Sequence, residues 1–98
     1  MKTVYKYVLD NGPILSLDLP AKAIPVFFTT QQQRDLQYRL CLWIERETAV
    51  PPDQLVKRAF QIFGTGHFIP DSAKYIGSCL DGPFVWHCYE VPATSERS

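Results

Sequence analysis

The chain has 98 residues, enough for one domain and able to bury the apolar surface needed to fold alone, with little to spare. Apolar residues make up 46% and charged residues 20%, ordinary globular usage that argues against disorder. Ten basic residues balance ten acidic ones, so no net field steers the chain onto nucleic acid or an anionic membrane.

No apolar run approaches the roughly 20 residues that span a bilayer. Met1–Leu9 has neither the apolar stretch nor the cleavage site of a signal peptide. Cys41, Cys79 and Cys88 are odd in number and none sits in a CxxC pair, which reads as reduced thiols in a cytoplasm.

In chain order the periodicity is close to two almost throughout. Val4–Leu9 puts Tyr5, Tyr7 and Leu9 on one face, and Ile14–Leu19 does the same with Leu15, Leu17 and Leu19. Asp10-Asn11-Gly12-Pro13 between them is strong turn chemistry, so these runs are expected to pair as a hairpin. Ile24–Thr30 is a short run of β-formers whose Pro25 belongs at an edge or a strand start. Leu36–Glu45 is the cleanest strand: Leu36, Tyr38, Leu40, Leu42 and Ile44 share one face, and Gln37, Arg39, Cys41, Trp43 and Glu45 the other. Leu55–Phe63 follows a Pro51-Pro52-Asp53 loop, with Arg58 out of place on the face of Phe60 and Ile62. Gly64–Ala73 is the longest irregular stretch, and Pro70–Ala73 could start a single helical turn. Tyr75–Leu80 and Phe84–Val91 form a last hairpin around Asp81-Gly82-Pro83, its second strand apolar on both faces and therefore central. The expected fold is all-β and mainly antiparallel, a small sandwich or partly open barrel of six to seven short strands over residues 1–91, with a polar tail at 92–98. Leu40, Leu42, Phe60, Ile62 and Trp86 are the expected core, with Cys41 and Cys88 as small core hydrophobes.

Gly64-Thr65-Gly66-His67 is the segment that could carry chemistry. Glycines flanking a threonine after a strand can present backbone N–H groups to an anion, with His67 as an added donor. The segment is neither a GxGxxG fingerprint nor a Walker loop, and the simpler reading is a bulge or tight turn with positive φ at Gly64 or Gly66. His67, His87, Cys79 and Cys88 do not have zinc-site spacing, since residues 87 and 88 point to opposite faces of a strand. No metal or cofactor is expected. Cys79 with His67 or His87 and Asp81 can be written as a nucleophile, base and acid, but nothing in the sequence brings them together, so no enzyme is expected. Aromatic residues are in surplus at 13%. Trp43 and Arg39 share the polar face of their strand, a pairing typical of protein-interface anchors, unless a second layer covers that face.

Several segments taken together carry a resemblance. Met1–Tyr7, Cys41-Leu42-Trp43, Ile62–His67 followed by Ile69-Pro70-Asp71, Tyr75-Ile76-Gly77, and Phe84-Val85-Trp86-His87 with Glu90-Val91 occur in this order. The chain resembles a family of small proteins of uncharacterised function encoded mainly by bacteriophages and prophages. It departs from the usual pattern with Tyr5 in place of Trp, Phe68 in place of Pro and Ser78 in place of Thr. The resemblance implies a phage accessory protein in the bacterial cytoplasm and carries over no catalytic residues.

Two functions are therefore expected to compete. The first is a non-enzymatic binder that inhibits a host bacterial complex, anti-CRISPR-like or otherwise anti-defence. The second is a nucleotide- or anion-binding module that sequesters a signal on the Gly64–His67 loop. Direct nucleic-acid binding and membrane association are not expected. Zero net charge and the aromatic surplus predict self-association as a homodimer.

Overall fold

Alternation becomes strand along most of the chain. The computed structural model describes residues 1–9 and 12–93. Among them it holds β1 (Lys2–Leu9), β2 (Ile14–Pro20), β3 (Ile24–Gln32), β4 (Tyr38–Glu47), β5 (Leu55–Gly64), β6 (Lys74–Asp81) and β7 (Phe84–Val91). One sheet has the order β1-β4-β3 and the other β2-β5-β7-β6, and all pairs are antiparallel. The molecule is an all-β sandwich. Of the tail expected at 92–98, residues 94–98 lie outside the described residues, as do Asp10 and Asn11 of the first turn.

The first hairpin is corrected. β1 pairs with β4, from Lys2↔Glu47 to Leu9↔Leu40, and β2 pairs with β5, from Ile14↔Gln61 to Pro20↔Leu55. Each run has one apolar face. Placed in different sheets, Tyr7-Leu9 and Leu15-Leu17-Leu19 oppose each other across the core. Side by side they would form one wall with nothing against it. The link is turned towards the second sheet at Pro13, whose carbonyl accepts from the Ile62 amide at 2.9 Å.

The central strand of the first sheet begins at Tyr38 rather than Leu36. Leu36 has φ 69° and its amide donates to the Gln33 carbonyl at 2.9 Å, so it belongs to the β3–β4 turn and its side chain is exposed. Pro70–Ala73 starts no helix: the Ala73 amide closes a β-turn onto the Pro70 carbonyl at 3.0 Å. The short 3-10 turn forms instead at Pro52–Gln54, where a proline in the first turn has its φ already set.

β3 is an edge strand, as Pro25 requires, and it bulges between Pro25 and Phe27. β7 is central, with β5 and β6 on either side. The β6–β7 hairpin turns at Gly82-Pro83 with Gly82 at φ 59°. Proline's fixed negative φ at the second position excludes a type I′ turn and leaves type II′.

Leu19, Leu42, Ile44, Phe60, Cys41 and Cys88 are fully buried. Leu40, Ile62 and Trp86 are half-buried and pack against this core. The sandwich is pinched where β3 passes β6: a Cβ built on Gly77 would stand 3.6 Å from Phe28 Cβ. Arg58, on the apolar face of β5, is fully occupied. It forms a fork with Glu90 (Nε–Oε2 2.7 Å, Nη2–Oε1 2.8 Å), and its Nη1 donates to the Ala23 carbonyl at 2.7 Å, tying down the β2–β3 turn.

β5 and β6 both run antiparallel to β7 and so parallel to each other. Parallel strands need a connection that returns the length of the sheet. With the inner face taken by the other sheet, the 65–73 segment must make that return on the outer side. Phe63 and Ala59, which point outward on β5, are buried all the same.

Candidate functional site

The Gly64–His67 segment is a tight turn. The His67 amide donates to the Gly64 carbonyl at 3.1 Å and Gly66 holds φ 92°, the left-handed third position of a type II turn. The His67 ring folds back so that its Nδ1 accepts from the Gly64 amide at 3.0 Å. A Cβ on Gly64 would stand 3.1 Å from His67 Cε1, so the glycine makes room for the ring. Both the Gly64 and His67 amides are thus used inside the turn, leaving those of Thr65 and Gly66 to face a ligand.

Thr65 connects the turn to the sheet. Its Oγ1 lies 3.0 Å from His87 Nε2, His87 Nδ1 lies 2.8 Å from Ser78 Oγ, and Ser78 Oγ lies 2.9 Å from the Tyr75 hydroxyl. A neutral imidazole donates at one nitrogen and accepts at the other, so hydroxyls on both sides satisfy either tautomer. Among the described residues no carboxylate bonds to His87. Cys79 lies elsewhere, buried on the inner face opposite Trp86. Asp81 Oδ2 accepts from Trp86 Nε1 at 3.0 Å. The cysteine, histidine and aspartate that could be written as a nucleophilic set are therefore not brought together. Burial pushes the Cys79 thiol up and carries that of Cys88 to about 12, the reverse of what a nucleophile needs. Among the described residues no group of three His, Cys, Asp or Glu converges to hold a metal ion.

Beside the turn the sandwich is open at its end. A cleft of about 500 Å³ lies between the sheets, walled by Leu9 and Leu40 on one side and Ile62 and Trp86 on the other, with His67 and Phe68 at its rim. Phe68 is 98% exposed. Composition showed the aromatic surplus but not this cleft, which exists only once four strands from two sheets end together. The one local signal was a phenylalanine in an irregular segment between glycine and proline.

Trp43 and Arg39 lie elsewhere, on the outer face of the first sheet. Trp43 packs against Phe27 with ring centroids 5.4 Å apart, and Phe27 is 57% exposed. Their cross-strand pairing puts them on the same face as Lys6, and among the described residues no second layer covers this pair. Ile24 and Val4, paired with Glu45 from either side, extend the apolar surface. Arg39 does not join Trp43. Its Nη2 is held by Asp35 Oδ2 at 2.7 Å. The Gln37 amide and the Arg39 guanidinium hold the Asp35 carboxyl below its usual range. Lys6, Gln33, Arg34, Asp35 and Arg39 border a polar depression at this rim.

Fold and sites define a small two-sheet β-sandwich module with an apolar cleft at one open end and an uncovered aromatic pair on one sheet face. The chain belongs to the family Domain of unknown function (DUF7352), whose model matches residues 1–98. Searches of curated proteins and of solved structures returned no match.

Proposed function

We propose that the protein is a non-enzymatic binding module that docks on a partner protein through the outer face of its three-stranded sheet. The observation that carries this reading is the Phe27–Trp43 pair, central on a sheet face that no second layer of the described residues covers. Around the pair, Ile24 and Val4 are apolar, while Lys6, Arg39 and the Lys2–Glu45 ion pair form a charged rim. An aromatic centre in a polar rim is the anatomy of a protein interface. The phage-like sequence motifs support a role as a phage accessory protein that inhibits a host complex in the bacterial cytoplasm. No helix of the described residues is long and apolar enough to cross a membrane.

The test compares affinity capture from the bacterial host by the wild type and by Phe27→Asp. One stoichiometric host protein captured by the wild type and lost with Phe27→Asp, at an unchanged melting temperature, is the expected result. Equal capture by both proteins overturns this surface. The stacked Phe84–Trp86 pair, 5.7 Å between centroids, borders the same depression as Thr65 and favours a second reading, in which a nucleotide base lies on the aromatic pair and its phosphate meets the free turn amides. A nucleotide released on denaturation and seen by mass spectrometry would decide for it.

A further inference from the structure

We propose that the open end of the sandwich is a self-association surface, in which Phe68 of each copy enters the cleft of the other. The alternation of β4 and β7 continues past the closed core. Tyr38 shares the inward face of Leu40, and Phe84 that of Trp86, yet Tyr38 is 66% and Phe84 57% exposed. These are inward-facing positions that the described residues leave exposed. The cleft between the sheets is large enough for an aromatic side chain, and among the described residues that line it there is no Asp, Glu, Lys or Arg. Leu9, Leu40, Ile62 and Trp86 on its walls suit an apolar side chain.

The chain carries such a group at the rim. Phe68 extends into solvent beside the cavity, and His67, folded back onto Gly64, anchors the segment that presents it. A projecting side chain next to a matching cavity on one surface is what a two-fold interface needs, because one rotation seats both copies and closes the assembly. The exposed parts of Phe68, Tyr38 and Phe84, with Leu36 from the β3–β4 turn at the same end, amount to roughly 550 Å² per copy at about 200 Å² for a whole aromatic side chain. Doubled, that approaches the roughly 1,200 Å² at which stable interfaces begin. Zero net charge removes long-range repulsion between copies. The surface is separate from the Phe27–Trp43 face, so a dimer would present that face twice, and either reading can fail without the other.

The experiment is sedimentation velocity on the full chain over a concentration series. The wild type is expected to dimerise at micromolar concentration, and Trp43→Ala to dimerise equally. Phe68→Asp is expected to weaken the dimer on the order of 1,000-fold, since two anchors worth about 30-fold each are lost together. Phe68→Trp is expected to retain it. Because Phe68 makes almost no contact within its own chain, Phe68→Asp should melt with the wild-type monomer at a concentration where both are dissociated. A wild type that is monomeric at high micromolar concentration overturns the proposal. So does a dimer that survives Phe68→Asp, or one that is lost with Trp43→Ala.

Discussion

Arg58 is a charged side chain that folding takes largely out of water. It stands on an apolar face, with its side chain only 14% exposed, and its charge is tolerated because Glu90 and the turn carbonyls satisfy its donors. The hydrogen bonds to Glu90 raise the Arg58 pKa above its ordinary value, against the opposing effect of burial. Arg58→Ala leaves Glu90 half-buried without its partner and frees the β2–β3 turn, and should cost about 2–3 kcal/mol in urea denaturation. Arg58→Lys should recover little, because one ammonium cannot hold the fork and the turn at once. Cys88 gives a prediction in pH. Burial raises its thiol to about 12 from the ordinary 9.0. Between those values the unfolded chain has lost a proton that the folded chain keeps. This contribution is therefore fully present below pH 9 and lost as the pH rises towards 12, by about 1.4 kcal/mol per pH unit. Urea midpoints at pH 8, 9 and 10 should fall more steeply for the wild type than for Cys88→Ala.

Among the elements, β4 and the β5–β6 connection show where pattern succeeds and where it stops. Leu42 is fully buried at the centre of β4, paired with Tyr7 on one side and Phe28 on the other. Leu42→Ala should cost about 2–5 kcal/mol. In the connection, Gly66 is held at φ 92° with open space around it, so the penalty of a side chain there is one of backbone conformation alone. Gly66→Val should destabilise by about 1–3 kcal/mol, whereas His67→Ala removes one exposed hydrogen bond and should cost about 1 kcal/mol or less. Paired thermal melts of the two variants test this order. The motif that stood out in the sequence is legible as a turn: its glycines serve the left-handed position and the packing of the His67 ring. The cleft beside it was not legible, because its walls come from β1, β4, β5 and β7, which are far apart in sequence.

For the whole molecule, the decisive pairings are non-local. β1 must find β4 across Lys2↔Glu47, and β2 must find β5 across Ile14↔Gln61, before either sheet exists. Only β3–β4 and β6–β7 join neighbours in the chain. Loop closure before reward makes such topologies slow. Refolding from urea should take milliseconds to seconds by stopped-flow fluorescence of Trp43 and Trp86, not microseconds. A microsecond phase carrying the full amplitude would mean that local hairpins suffice.

The sequence by itself determined the strand content, the all-β class, the centrality of Phe84–Val91, the edge position of Pro25 and the burial of Leu42, Phe60, Cys41 and Cys88. Each follows from period-two alternation, a missing proline donor or a small apolar side chain, all of them local properties. Only the tertiary structure decided that Val4–Leu9 and Ile14–Leu19 part into different sheets instead of pairing. Turn chemistry says that the chain reverses direction, not whether the second strand stays beside the first. Two single-faced apolar strands bury more surface by facing each other across a core than by lying side by side. That same parting places Leu9 opposite Ile62 and Trp86, and so makes the cleft at the end of the sandwich.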